Sequence, residues 1–436
     1  MKILVLSPYY FPYINPRAHR WTSIAEQWAK EGHEVHLICS KNKDYLSKHQ
    51  LNQVHVHRTG FNSLKEILYY FSKNVNKRGE AGQKKQNAGK KGAFMQWLND
   101  KILRNIYFPD DAFMWYFPAR KTAQKLLKTI DFDLLISSSV PFTTHLVALN
   151  LKKKYPNLKW IADTGDPFAF QPLHPLNNYF LYGKWNRKLE RKVVENADFV
   201  SLTNEGAVYL YQKLFPAESE NFVKIPPVLR FDIDNSKEDL PEKEGKKKQL
   251  GTKKIRVGYF GSFFKNIREP RPVLYYFDQL LQQYPERGKT LELHFYGNIF
   301  ENFLQDFAAF PRLKNIIIFH GMISSQQVTE EMQKMNILLN VGNSTTFQLA
   351  SKSVDYMLSG KAIINFISHD ADTFNAFFKD YNYFAAFHDK NWKDDLVKLN
   401  VFLTTFSNKK IRKEQVQKMT VAFRVENIAK QYLDLV

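Results

Sequence analysis

A hydroxyl, an ammonium and a carboxylate fall within five positions of one another at Ser351, Lys352 and Asp355, in the stretch QLASKSVDYMLSGKAII at residues 348–364. Ser351 and Asp355 are spaced i, i+4, and Lys352 and Asp355 i, i+3, so on a helix the three share neighbouring surface. Val354, Met357 and Leu358 give that helix a buried face. Ser351 is a good N-cap residue, and Gly360 suits the left-handed position that ends a helix. Apolar strands are expected on both sides, at Ile337–Val341 and Ala362–Ile367, which makes the unit a βαβ crossover. Its loop lies at the C-terminal end of a parallel strand, where open α/β sheets bind ligands. A helix N-terminus carrying Ser351 and Lys352 suits a phosphate, and Asp355 suits a ribose hydroxyl. The same spacing also describes an ordinary amphipathic helix with a polar surface.

A second pair of carboxylates, Asp163 and Asp166, closes an apolar strand in the sequence WIADTGDPF. Carboxylates at a strand C-terminus are placed for acid–base work in this kind of sheet. Aspartate before Pro167 is also a common turn former, and both readings stand at this level.

The elements that must position these groups read as two α/β halves. Residues 3–6 form an apolar strand, residues 17–30 a helix and Glu34–Cys39 a second strand. The first turn between them, PYYFPYINPRAHR, has no glycine, so the usual dinucleotide fingerprint is absent. Helices are expected over residues 121–129, 144–154 and 185–196, and strands over 133–136, 158–163 and 199–203. Residues 231–254 are polar and aperiodic and read as a linker or disordered insertion. The pattern restarts with strands at Ile255–Phe260, Leu291–Tyr296 and residues 316–320, and helices at residues 272–284 and 326–335. Residues 410–436 read as one long terminal helix. The expected domains are residues 1–230, 255–409 and that helix, packing back on the first domain.

The 436-residue chain carries a net charge of +20, with 36 Phe, 22 Tyr and 7 Trp. That balance favours an anionic partner class. Cys39 is the single cysteine, so no disulfide framework forms. No run of ~18 apolar residues occurs to span a bilayer, and a cytoplasmic location is expected. Residues 73–92 hold seven basic residues and one acid. They precede a helical stripe of Phe94, Trp97, Leu98, Ile102 and Ile106. A basic loop beside an aromatic amphipathic helix suits an anionic membrane surface, and a helix covering the core is the alternative.

The motifs GYFGSFFKNIREP, LELHFYGN, IIIFHGMIS and QLASKSVDYMLSGKAII, in that order, resemble the retaining GT-B glycosyltransferases of the large family 4 group. LSPYYFP, KEGHEVHLICS, FDLLISSSVPF and WIADTGDPF resemble the acceptor-side domain of the same group. The resemblance implies two Rossmann-like doubly wound domains facing a cleft. It implies a nucleotide-sugar donor on the C-terminal domain, and a glycan or lipid-linked acceptor of cell-envelope biosynthesis on the N-terminal one. It further implies no metal; no cofactor and no nucleic-acid partner are expected, and the net charge with the basic, aromatic region of residues 73–104 suggests a peripheral position on the inner face of the plasma membrane. Donor contacts are implied at Gly261, Ser262, Lys265, Arg268, Gly297, His320, Gly321, Met322, Ser351, Lys352 and Asp355. Arg268 is implied in leaving-group stabilisation, with Asp163 and Asp166 orienting acceptor or sugar. Asn15, Arg17, Arg20 and Ser138 are implied on the acceptor side. The chain departs from the family pattern at Phe347, where an acid is common, at Ser262, where a basic residue is common, and in its glycine-free first loop. A GT-B epimerase or hydrolase, and a non-catalytic basic membrane- or nucleic-acid-binding protein, are the alternative functions.

Overall fold

Strands that are apolar along their whole length become the centres of two parallel sheets, covered on both faces. In the computed structural model, which describes residues 1–13, 15–41, 49–63, 104–171, 175–229, 254–299, 301–388, 390 and 392–436, the first sheet holds eight strands. They are β1 (Lys2–Leu6), β2 (Glu34–Cys39), β3 (His49–Leu51), β4 (Val54–Arg58), β5 (Leu134–Ser139), β6 (Lys159–Thr164), β7 (Phe199–Leu202) and β8 (Phe222–Lys224). Their order is β3-β4-β2-β1-β5-β6-β7-β8, with β3 alone antiparallel to its neighbour. The second sheet holds β9 (Ile255–Phe260), β10 (Leu291–Tyr296), β11 (Ile317–Gly321), β12 (Ile337–Val341), β13 (Ala362–Ile367) and β14 (Phe384–His388). Its order is β11-β10-β9-β12-β13-β14, and every pairing is parallel. The strand order reverses between β9 and β12, which makes that point the binding crevice of a doubly wound sheet.

The described helices of eight residues or more are α1 (Pro16–Lys30), α2 (Tyr116–Leu126), α3 (Thr143–Lys154), α4 (Tyr179–Asn196), α5 (Glu205–Leu214), α6 (Arg271–Gln283), α7 (Glu301–Ala308), α8 (Ser325–Lys334), α9 (Lys352–Ser359), α10 (Trp392–Phe406), α11 (Lys413–Thr420) and α12 (Val425–Leu433). The chain divides into two compact units, Met1–Pro226 with Val425–Val436, and Pro227–Arg424.

Capping explains several boundaries. The Asn15 side chain accepts from Ala18 N and Pro16 opens α1, a position where a missing N–H costs nothing. The Asn178 side chain accepts from Phe180 N and Leu181 N, so α4 starts at Tyr179, earlier than residue 185. Gly360 ends α9 in the left-handed conformation at φ +67°, as its sequence position suggests. Ser351 does not cap α9: its backbone is already helical and its side chain makes no cap hydrogen bond. The single helix expected over 410–436 is also corrected. It is two helices, α11 and α12, separated by a 3-10 turn at Val421–Phe423. Only α12 joins the first unit, where it lies along α1 and Trp28 Nε1 donates to Ala429 O at 3.1 Å. The basic segment 73–92, the aromatic positions at 94, 97, 98 and 102, and residues 231–253 lie outside the described residues. Among the described residues, no helix is long and apolar enough to cross a membrane.

Candidate functional site

The second unit carries a pocket of about 350 Å³ at the C-terminal ends of its strands. Four loops meet there. Phe260 ends β9 and Gly261, Ser262 and Arg268 follow it, and Tyr296 ends β10 and Gly297 and Asn298 follow it. Met322 and Ile323 follow β11, and Ala350, Ser351, Lys352, Asp355 and Tyr356 come from the start of α9.

Glycines let the first two loops approach each other. Gly297 has φ +129°, and a Cβ on it would lie 2.1 Å from the Gly261 carbonyl oxygen. Gly261 itself has φ +151°. Its N–H donates to Tyr296 O at 2.8 Å, and Gly297 N donates to Gly321 O at 2.8 Å, which locks the three strand ends together. Both amides are therefore spent inside the protein. Charge complementarity for a ligand falls to the side chains.

Arg268 closes a tight turn in which Phe264 N donates to Arg268 O, and Arg268 N to Phe264 O, both at 2.8 Å. Asn266 at the tip takes φ +63°. The turn delivers the guanidinium to the pocket, where Asn343 Oδ1 accepts from Nε at 3.1 Å and from Nη2 at 2.8 Å. Asn343 Nδ2 in turn donates to Gln348 O at 2.9 Å. Asn343 leaves Arg268 its full positive charge, since the partner is a neutral amide.

Lys352, in the first turn of α9, is buried and has its ammonium 4.1 Å from the centre of the Tyr259 ring and 5.3 Å from that of Tyr356. The ring faces favour a cation there, yet Nζ has no hydrogen-bond acceptor. Burial, and then the nearby Arg268, push its pKa well below the usual lysine value. An arginine and a lysine thus face one pocket at a helix N-terminus, an arrangement suited to an anion, whose charge would favour the protonated form of Lys352. Among the described residues neither cation is paired with a carboxylate.

Of the donor-side residues read from sequence, Gly261, Ser262, Arg268, Gly297, Met322, Ser351, Lys352 and Asp355 line this pocket together. Lys265 does not: it is exposed on the Arg268 turn, outside the lining. His320 and Gly321 lie outside this lining, exposed at the end of the edge strand β11, with the His320 ring stacked on Tyr296 at 4.1 Å. Tyr259, Tyr356 and Asn343 escaped the sequence reading. Asn343 follows Gly342 at the end of β12, the strand beside the reversal point, and that placement was the available signal.

In the first unit the carboxylates separate. Asp163 is 1% exposed and both its oxygens are consumed. Oδ2 accepts from Arg17 Nη1 at 2.7 Å and Trp21 Nε1 at 3.1 Å. Oδ1 accepts from Ser201 Oγ at 2.9 Å and Tyr432 OH at 2.7 Å. Burial raises its pKa, but Arg20 and Arg17, with the hydrogen bonds from Tyr432 and Ser201, together hold it below the usual range. The geometry departs from a role in acceptor chemistry, because no oxygen of Asp163 faces solvent.

Arg20 is likewise buried, donating to Tyr432 OH and Pro226 O at 2.7 Å each. Ser138 is buried in β5, and Asn15 is occupied as the α1 cap. Arg17 and Asp166 are half-buried. Arg17 lies directly over Gly165, where a Cβ would be 1.4 Å from the guanidinium. Among the described residues, no group of three or more His, Cys, Asp or Glu is arranged to hold a metal ion.

No protein-family model matches the chain, and no curated protein matches it in sequence. Its solved structural neighbours match end to end. The trehalose-6-phosphate synthase OtsA superposes with TM-score 0.63 at 11% identity, covering 100% of this chain and 99% of that one. A structure described as trehalose-6-phosphate from E. coli bound with UDP-2-fluoro glucose gives TM-score 0.61 at 11% identity, with 100% and 99% coverage. The lipopolysaccharide outer core galactosyltransferase WaaB, in apo form, gives TM-score 0.53 at 13% identity, with 100% and 99% coverage. At these identities the likeness is one of fold. The chain has two parallel-sheet α/β domains of the GT-B type, a glycosyltransferase-like fold.

Proposed function

We propose that the protein is a retaining glycosyltransferase that moves a sugar from a nucleotide-sugar donor to a glycan or lipid-linked acceptor of the cell envelope. The observation that carries the reading is the convergence of Arg268 and buried Lys352 on one pocket at the reversal point of the second sheet. A diphosphate supplies the acceptors that Lys352 Nζ lacks, and Asp355 on the same helix face takes the ribose hydroxyls. The fold supports the reading, since its neighbours include glycosyltransferases.

In the reaction the bond between the anomeric carbon and the diphosphate oxygen breaks, and the acceptor hydroxyl oxygen bonds to that carbon on the same face. The hydroxyl proton passes to the departing phosphate oxygen, so no strong protein base is required. Charge develops on the diphosphate as the bond breaks. Arg268, held in place by Asn343, and Lys352 are preorganised to stabilise it. Arg17 and Asp166 are the acceptor-side groups of the first unit. The reading has no metal or cofactor in the step, and it places the protein in the cytoplasm, peripheral to the inner face of the plasma membrane.

The test is nucleotide release from UDP-, GDP- and dTDP-sugars by purified protein supplied with membrane lipid extract. Release from one donor class is expected, with the product anomer matching that of the donor by NMR. No release from any donor, or an inverted anomer, overturns the corresponding part of the reading.

A further inference from the structure

We infer that the outer face of α4 docks the first unit on a lipid bilayer bearing anionic headgroups. The inference deepens the membrane part of the proposed function and rests on that reading.

α4 buries one face only, through Gly183, Asn186, Glu190, Val193 and Val194. That face is fixed to the unit: Glu190 accepts from Phe168 N at 2.9 Å, Ala169 N at 2.7 Å and Tyr211 OH at 2.5 Å. The opposite face inverts the rule for a helix covering a core, which should turn polar residues outward. Leu181 and Trp185 stand there at 51% and 58% exposure, with Phe180 beside them at 95%. Leu181, Trp185, Lys188 and Lys192 follow i, i+4, i+7, i+11, one straight stripe on a helix. Lys184, Lys188, Arg191 and Lys192 flank the apolar residues and are all exposed. The Lys188 ammonium lies 5.6 Å from the Trp185 ring centre. The acid on this face, Glu195, is held by Arg191 at 4.0 Å. Beyond the N-terminal end, Asn178 Nδ2 and Tyr182 OH each donate to Asn105 at 2.6 Å, and the next residue, Ile106, is 55% exposed.

Apolar side chains set among lysines on a rigid surface helix fit the boundary between headgroups and acyl chains. The lysines answer anionic headgroups, and the chain's net charge of +20 acts in the same direction. Leu181 and Ile106 are aliphatic, and so suit acyl chains better than stacked bases.

The experiment is co-sedimentation of the full chain with vesicles of phosphatidylcholine alone or mixed with phosphatidylglycerol. Binding is expected to the mixed vesicles only, and to weaken in high salt. Leu181→Ser with Trp185→Ser should lower partitioning by tenfold or more. Lys184→Glu with Lys188→Glu should lower it by about fivefold or more for each lysine. All four side chains are exposed, so circular dichroism and thermal unfolding should stay at the wild-type values. Nucleoside-diphosphate binding without vesicles should also be unchanged, which separates docking from the donor pocket. The inference is overturned by equal binding of variants and wild type, or by no wild-type binding to mixed vesicles. It is equally overturned by concentration-dependent dimerisation that the Leu181 and Trp185 changes abolish, which would assign the face to a second copy of the chain.

Discussion

Asn343 Oδ1 accepts two hydrogen bonds from Arg268, from Nε at 3.1 Å and from Nη2 at 2.8 Å, across 75 positions of sequence. The asparagine stands on the loop that leads into α9, the helix carrying Lys352. One loop therefore sets the positions of both cations that face the pocket. Because the anchor is an amide, it orients the guanidinium without neutralising it.

Asn343 is accordingly a positioning residue, and its substitutions should separate orientation from charge. Asn343→Ala should lower kcat about tenfold with a smaller change in the KM for the donor, as expected when a preorganised group is loosened. Asn343→Asp should raise donor KM as well, because the new carboxylate pairs with Arg268. Arg268→Ala should cost about 10²–10³ in kcat with unfolding midpoints close to wild type. Steady-state kinetics with the donor identified by the release screen decide this. Equal effects of the alanine and aspartate variants on kcat and KM would remove the positioning role.

Lys352 should make donor binding proton-linked. Its pKa in the free protein is depressed by burial and then by Arg268. A bound diphosphate raises it again, so between the depressed value and the ordinary lysine value binding should take up protons. Calorimetry in buffers of different ionisation enthalpy measures that uptake, and Lys352→Met should abolish it. The same depression has a sign for stability. Between the folded pKa and the ordinary lysine value, the unfolded chain holds the extra proton, so stability due to this group rises with pH across that window. The methionine variant should lose that slope.

Much of this arrangement is legible in the amino-acid sequence, and the limits have a physical cause. β1, β12 and β13 are largely apolar because both faces are covered, and such runs announce themselves. Residues 351–360 are legible because their chemistry is local, within one helix and its stop. The Asn343–Arg268 clamp is not local, and no periodicity encodes it. β14 alternates between buried and half-buried positions at the sheet edge, and its FAAFH carries little apolar signal. The terminal region reads as one helix because each half has the right period. The break shows itself only when α12 is seen against the first unit.

The two loop glycines should differ in their tolerance of a side chain. Gly297→Ala places a Cβ 2.1 Å from the Gly261 carbonyl oxygen at φ +129°, and backbone must move. Gly261→Ala meets its nearest atom at 3.4 Å and is strained by its φ of +151° alone. Thermal unfolding should show the larger loss for Gly297→Ala, about 1–3 kcal/mol or more, together with weakened nucleotide binding. A smaller loss than for Gly261→Ala would contradict the close approach of the two loops.

Asp163 should behave as a structural ion. Asp163→Asn removes the charge that Arg17 and Arg20 face and should cost about 3–5 kcal/mol in unfolding free energy. Tyr432→Phe removes the hydroxyl that links α12 to Asp163 and Arg20, and should cost about 1–3 kcal/mol. With its folded pKa below the unfolded one, Asp163 contributes stability above the ordinary aspartate value of about 3.9. That contribution is lost as pH falls through the lowered folded value. Acid unfolding of wild type and Asp163→Asn should converge there. A stable Asp163→Asn protein with abolished turnover would return Asp163 to the chemistry.

The most direct measurement is the affinity of the protein for UDP, GDP and dTDP, titrated against wild type and the Arg268→Ala, Lys352→Met double variant. Wild type should bind at least one of the three. The double variant should bind it at least about 100-fold more weakly, because both side chains proposed to hydrogen-bond the diphosphate are removed. Wild type that binds none of them, or a double variant that binds as tightly, would contradict the assignment of this pocket to a nucleotide diphosphate.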